Sequence, residues 1–458
     1  MSAATADKQD EKLDPKVIKL AFVLLTGAIA ALLDTTVVNV ALKTIGADLH
    51  APLAQTQWIL TGYLLTFGMV IPFSGWALAR FGGKVTWMAS LSLFLAGSIA
   101  SGLAWNIESL IAFRVVQGIG GGMLVPVFMT LLIQAAGGRS LGRLMATITL
   151  PAVVVPILGP VIGGLIVSNL SWRWIFYVNV PICAAALLLA WRFVPGRGPS
   201  AGPRPRLDIV GIALLSPAVA LLLYGLAQVS TSGGFGQPKV LVPLAAGVVL
   251  LTLFLLRAIR TPDGGVIDVR LFRMRSFSAA SALMFGSGLS MYGALLLLPL
   301  YYQQLRGYSP LDAGLLMAPQ GIGSLLPRMF AGKVTDRMGP RPVVMAGMAL
   351  AALGTAPFIF AGPHTNLVWL SLVLAVRGAG LSAATISLQA GAFIGLPREK
   401  VPDASSATRI ILQVGGSFGT GVLAVILAST GSFHTTFAWA TGFTAATAVA
   451  APLLAKRK

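Results

Sequence analysis

The sequence predicts an all-α polytopic membrane protein: two six-helix bundles with two extra helices between them, fourteen spans in all. Three observations predict it. The chain has 458 residues, is 56% hydrophobic and is only 10% charged, where a soluble domain carries about 25% charged residues. Apolar runs of about 20 residues recur along the whole length, as helices that cross a bilayer require. The runs are continuously apolar rather than alternating, which excludes a β-barrel. A loop motif also repeats at an offset of 257 residues, at Gly75 and Gly332, so the two bundles follow one plan.

Residues 1–17 read as a polar tail without the n-region and cleavage pattern of a signal peptide. The first helix then serves as its own uncleaved insertion signal. The N-terminal bundle, 18–194, holds spans near 18–42, 57–79, 86–105, 109–134, 142–167 and 173–194. Residues 195–276 form two basic linkers with two inserted spans, 207–228 and 238–258; the first linker is Pro/Gly-rich from Pro195 to Arg206. The C-terminal bundle, 277–455, holds spans near 277–302, 312–331, 342–361, 366–389, 405–430 and 433–455, and 456–458 is a short tail. An even number of spans puts both termini on one side. Lys8, Lys12, Lys16 and Lys19 at the start and Lys456, Arg457 and Lys458 at the end put that side in the cytoplasm.

The net charge is +19. About 25 of the 33 Lys and Arg lie in every second loop and in the tails, which is the positive-inside asymmetry. The expected partner of that charge is anionic lipid, not nucleic acid. One cysteine, Cys183, allows no intrachain disulfide, and the three histidines are scattered, so no metal site is expected. No GxxxxGK[ST] phosphate loop and no catalytic cluster is present. The chain is therefore expected to be neither an enzyme nor an ATP-driven pump, and to need no cofactor. An ion gradient is the remaining drive: one charge moving through 100 mV releases about 2.3 kcal/mol.

Asp34 is the one acidic residue placed well inside a span. A charge there costs about 2.5–3.5 kcal/mol on the insertion scale. Such a carboxylate is a site by default, most simply a proton carrier. Arg114, early in the fourth span, is its obvious compensating charge; a structural ion pair, or snorkelling of Arg114 to the surface, is the alternative. Arg377 recurs in the second half, with structural packing an equal reading because no acid is visible near it. Thr35 and Asn39 share a face of the first span and are candidates for substrate contact or for packing. Tyr63, Phe67 and Tyr292 are further substrate candidates, because rings suit bulky flat molecules, and Gln117 is another. Trp58, Tyr301 and Tyr302 read equally well as an interfacial aromatic belt.

The repeated loop carries Gly75, Arg80, Gly82 and Lys84 in the first half, and Gly332, Asp336, Arg337, Gly339 and Arg341 in the second. Glycines permit the tight turn, and the cations can latch onto a carboxylate or a helix C-terminus. In the fifth span, Pro156, Gly159, Pro160 and Gly163 combine kinks with close helix contact. Gly415 and Gly419 of the thirteenth span are expected to face them across the pseudo-axis.

These repeated loops resemble the signature loop of the major facilitator superfamily. The stretch Leu32-Leu33-Asp34-Thr35-Thr36-Val37-Val38-Asn39-Val40-Ala41-Leu42 is similar to the first-span motif of its fourteen-span drug:proton antiporters, the multidrug efflux and quaternary-ammonium-resistance type. Arg114 to Gly122, Pro156 to Gly164 and Trp172 to Pro181 resemble the fourth-, fifth- and sixth-span motifs of that branch. Ala79 stands where the superfamily usually has Asp, and Lys43 where Pro is usual. The resemblance implies a proton-coupled antiporter of the cytoplasmic (inner) membrane, working as a monomer and exporting bulky amphipathic drugs or antibiotics by alternating access. Asp34 and Arg114 would exchange the proton, and the fifth span would bar leak. Neutral, monocationic or zwitterionic cargo fits a single carboxylate better than a dication. The alternative is proton-coupled transport of one narrow metabolite or nutrient, in either direction.

Overall fold

The computed structural model describes residues 14–56, 58–136, 162–167, 169–196, 208–231, 234–260, 267–308 and 310–454. Among them the chain is helical throughout, with no strand. Helix α1 (Pro15–Asp48) starts three residues before the expected boundary at 18. Pro15 sits at its first position, and the Asp14 carboxylate accepts the Lys16 N–H at 2.8 Å. The first half continues with α2 (Trp58–Phe81), α3 (Gly83–Gly102), α4 (Ile107–Ala136), a helical turn at Trp174–Tyr177 and α5 (Asn179–Phe193). Pro156, Gly159 and Pro160 of the fifth span, like the tail residues 456–458, lie outside the described residues.

The inserted pair is α6 (Ile209–Thr231) and α7 (Pro238–Arg260). Helix α6 runs along the junction between the halves. Its Leu223 packs over Gly68 of α2, and its Leu226 and Val229 face Gly421 of the thirteenth span. Trp58, expected in an interfacial belt, stacks on Tyr224 of α6 with centroids 6.1 Å apart. Helix α7 leans on α6 and leaves Leu241, Val242, Val248, Val249 and Leu253 exposed. Such an apolar face suits lipid.

The second half contains α8 (Arg275–Leu300), α9 (Pro310–Leu316), α10 (Ala318–Leu325), α11 (Ala331–Met338), α12 (Pro340–Thr355), α13 (Leu367–Phe393), α14 (Val401–Thr430) and α15 (Phe433–Ala450). Helix α8 passes into a π-helical turn at Tyr301–Leu305. Tyr301 and Tyr302 are 0% and 1% exposed, so they are core residues and not belt residues. Tyr301 meets Phe358, Phe433 and Phe437 edge-on.

Eleven of the described helices are long and apolar enough to cross a membrane. The expected fourteen differ from this in three places. Most of the fifth span is outside the described residues. The expected span 312–331 is broken into α9, α10 and a 3-10 turn at Leu326–Met329, because Pro319 and Pro327 cannot donate backbone hydrogen bonds. Helix α15 has 18 residues, and Thr435, Thr436, Thr441, Thr444 and Thr447 lower its hydropathy.

The internal repeat is visible in the backbone. Gly82 (φ 80°, ψ 164°) precedes α3 and Gly339 (φ 84°, ψ 168°) precedes α12. This conformation is open to glycine almost alone. The next crossings repeat as well, at an offset of 257 residues for Gly97/Gly354 and of 260 for Gly118/Gly378. Gly97 of α3 lies against the Gln117 backbone, and Gly354 of α12 lies against the Arg377 backbone. Likewise Gly118 abuts Tyr63, and Gly378 abuts Gln320. Arg377 therefore occupies the register of Gln117, one turn beyond Arg114. The sequence pairing of Arg114 with Arg377 is corrected accordingly.

Candidate functional site

Asp34 on α1 and Arg114 on α4 form an ion pair, Nη1 to Oδ2 at 2.5 Å, with both side chains fully buried. The carboxylate accepts from three side chains. Gln117 Nε2 gives a hydrogen bond to Oδ1 at 2.9 Å, and Asn179 Nδ2 gives a longer one at 3.3 Å. Arg114 and Gln117 are three residues apart, so they share a face of α4. Arg114 Nη1 also donates to Gln117 Oε1 at 2.7 Å, and Nε donates to the Ile59 carbonyl at 3.3 Å. The guanidinium lies 4.1 Å over the Tyr63 ring and 5.7 Å from that of Phe176. Asn179 is steadied by Ser98 at 3.0 Å, and Ser98 donates to the Phe176 carbonyl at 2.9 Å.

This geometry can hold a proton in either of two states. With Asp34 ionised, every contact above is made. With Asp34 protonated, Arg114 loses its counter-ion but keeps Gln117, Ile59 and two ring faces. Arg114 Nη2 and Asn179 Oδ1 have no partner among the described residues. They are the atoms a rearranged or hydrated site would use.

Arg377 differs in kind. Its guanidinium donates to Thr355 Oγ1 at 3.1 Å, Gln320 Oε1 at 2.9 Å and the Ser290 carbonyl at 2.8 Å. All are neutral acceptors that tie α8, α10, α12 and α13 together.

Tyr63 and Phe67 are buried in α2 with ring centroids 5.8 Å apart. Tyr292 is half-buried against Gly416 of α14, away from the ion pair. The side chains of Thr35 and Asn39 lie outside the described residues, although both stand on α1.

Among the residues expected to gate, Gly163 lies on the Val37 carbonyl of α1. Gly415 and Gly419 lie on Phe285 and Leu289 of α8, so the seam they make among the described residues is inside one half. Lys84 donates to the Trp191 carbonyl at 2.5 Å, closing the end of the first half. Arg80 and Arg341 are partly exposed beside the two repeated turns. Gly332 is buried in α11, which also carries Asp336 and Arg337.

At the end bearing the basic loops, the halves meet. Ser74 and Ser406 hydroxyls are 3.1 Å apart, and Asp403 of α14 stands over Gly75 of α2. Asp403 accepts the Asp268 amide at 3.0 Å, and Lys400 pairs with Asp268 at 2.5 Å. Burial pushes the Asp268 carboxyl up, but Lys400 and the Arg270 amide outweigh it and hold it below the usual range. At the opposite end, the Trp172 indole and Arg173 hold the Asp48 carboxyl low.

Sequence reasoning missed Asn179, Ser98, Asp403 and Arg409. Asn179 lies in the quoted sixth-span motif, and Arg409 is a charge within the expected span 405–430. Both signals were present.

Residues 24–420 match the model of the Major Facilitator Superfamily. The chain is 37% identical over 419 residues to a "Multidrug resistance protein B homolog" of Mycobacterium tuberculosis, spanning 91% of this chain and 77% of that protein. It is 31% identical to "Multidrug export protein EmrB" of Haemophilus influenzae, over 88% of this chain and 80% of that one. It is 29% identical to "Lincomycin resistance protein LmrB" of Listeria monocytogenes, over 92% and 88%. In structure it resembles the human organic anion transporter MFSD10 with a TM-score of 0.63, covering 96% of this chain and 100% of that one. At 16% identity this last likeness concerns the fold alone.

Proposed function

The chain belongs to the major facilitator superfamily, and from that premise we propose that it is a proton-coupled antiporter exporting bulky amphipathic compounds. The observation that carries the reading is the fully buried Asp34–Arg114 pair, the carboxylate held by donors from α4 and α5. A buried pair is a poor device for stability, because desolvation offsets its attraction. It is a good device for a switch, because one proton on Asp34 undoes it.

In this reading the basic loops and both termini face the cytoplasm of a cell whose inner membrane holds the protein. A monomer carries out the cycle, and the proton gradient supplies the energy. The fourteen-span antiporter branch is the subfamily the motifs favour. A proton taken up from outside frees Arg114 from Asp34 and favours opening at one face; its release inside restores the pair and favours the other. Cargo and proton need only bias opposite-facing states. Relatives named for multidrug or lincomycin resistance support export of drug-like molecules.

The test is Asp34→Asn, which keeps size and hydrogen bonding but cannot ionise. Inserted, folded protein is expected, less stable than wild type because Arg114 loses its counter-charge, with proton-driven efflux from everted vesicles lost. Wild-type resistance in cells making the variant at equal level would overturn the assignment.

A further inference from the structure

Between α4 of one half and α8, α13 and α14 of the other lies a cavity of about 30 Å³, room for about two waters. Met129, Met284 and Phe393 give it apolar walls, and Gln389, Ser405 and Arg409 give it a polar side. Each of these three polar residues has a buried atom without a hydrogen-bond partner: Gln389 Oε1, Ser405 Oγ and Arg409 Nε. Gln389 and Ser405 are only 8% and 3% exposed. Arg409 forms no ion pair among the described residues, and its ring contact is Phe67 at 5.9 Å. Asp403, on the same helix, lies six residues earlier, roughly 9 Å along the axis, and is engaged by the Asp268 amide. Arg409 itself is partly exposed, with its Nε buried; a guanidinium stays charged at every accessible pH, and a buried donor in a native protein is normally paired. Among the described residues none supplies a counter-charge to it.

We infer that this cavity binds the acidic group of the cargo, and that the cargo class includes aromatic monoanions, carboxylates or sulfonates. The anion sits on Arg409 and the Ser405 hydroxyl. Gln389 can turn either end of its amide toward it. The ring lies among the methionines and Phe393, which repack around flat shapes. This rests on the exporter reading and replaces the neutral, monocationic or zwitterionic cargo expected from the sequence.

Two further observations support it. The Asp34 charge is already paired with Arg114 in a fully buried site, so it is not offered to a cationic drug in this state. Arg409 also connects to the proton site through two rings. Phe67 is 5.8 Å from Tyr63, and Tyr63 is 4.1 Å from the Arg114 guanidinium. An anion that draws on Arg409 thereby bears on the ring that faces Arg114. The cavity as it stands is too small for an aromatic acid, so loading requires the halves to part beside Ser74 and Ser406.

The test uses purified full-length protein and three radiolabelled probes on one ring: naphthalene-2-carboxylate, naphthalene-2-methanol and naphthalen-2-ylmethylammonium. Binding is measured at equilibrium without a proton gradient, so a failed coupling assignment at Asp34 leaves the result readable. Wild type is expected to bind the carboxylate at least tenfold more tightly than the alcohol or the ammonium. Arg409→Gln is expected to weaken the carboxylate about tenfold and leave the alcohol within twofold. Arg409→Lys is expected to retain most of the preference, and Ser405→Ala to lose about threefold for the carboxylate alone. Equal binding of the three probes by wild type, no carboxylate binding up to millimolar concentration, or equal weakening of all three by Arg409→Gln in protein that elutes as wild type, would each overturn the inference.

Discussion

At the Asp34–Arg114 contact, the cost of a broken partnership exceeds the benefit of an intact one. Removing one member of a buried pair leaves an uncompensated charge and costs about 3–5 kcal/mol, while removing both is far cheaper. Arg114→Leu is therefore expected to destabilise the protein by about 3 kcal/mol. The double variant Arg114→Leu/Asp34→Asn is expected to recover most of that loss, because no charge is then stranded. Thermal unfolding in detergent measures both, and efflux is expected to be absent in both. If the double variant is no more stable than Arg114→Leu, the two side chains do not share one electrostatic account. Asp34 and Arg114 were legible in the sequence because charge inside an apolar run is rare enough to be read alone. Gln117 was legible as part of a motif. Asn179 and Ser98 were not, because neutral polar residues in apolar helices have many uses, and only the approach of α3 and α5 aims Asn179 at Asp34. Arg409 went unread because it lies four residues from a boundary placed at 405, where a cation passes for a snorkelling one.

Helix pairs within each half are set by glycines at their crossings. A Cβ on Gly97 would stand 2.6 Å from the Gln117 backbone nitrogen, and one on Gly354 the same distance from that of Arg377. Both contacts are with backbone, which cannot rotate away. Gly97→Ala and Gly354→Ala are each expected to cost about 1–3 kcal/mol by overpacking. Gly442→Ala on α15 has open space at its Cβ and is expected to be neutral to slightly stabilising, since alanine favours helix. Melting temperatures of the three in one detergent compare them directly, and equal losses would refute the packing account. The loop repeat was readable at this scale because Gly82 and Gly339 hold a conformation that few other residues tolerate. The break between α9 and α10 was not, because Pro319 and Pro327 also occur in unbroken membrane helices, and hydropathy alone joins the pieces. The seam of Gly415 and Gly419 was misplaced for a related reason: small-residue spacing announces a close neighbour without naming it. That neighbour is α8.

For the whole molecule, the question is what must separate when access alternates. The described polar contacts across the basic-loop end are few: the Ser74–Ser406 hydrogen bond and the approach of Asp403 to Gly75, braced by the half-exposed Lys400–Asp268 pair. A hydrogen bond between hydroxyls contributes about 1 kcal/mol net, and a half-exposed pair contributes about that or less. So little polar bonding leaves apolar packing to hold this end shut, and a ligand that prefers the open state shifts the balance only by its differential affinity. The two hydroxyl oxygens are 3.1 Å apart, so sulfurs in their places would face each other. Ser74→Cys/Ser406→Cys is therefore expected to cross-link under mild oxidation, and the remaining thiol, Cys183, is buried. Cleavage at a protease site placed in the 197–207 linker reads the link, since joined halves migrate together without reductant. Oxidation is expected to reduce efflux at least tenfold, and reduction to restore it. Transport that continues in fully cross-linked protein would mean that cargo and proton pass without this end opening, and the alternating cycle would then need a different seam.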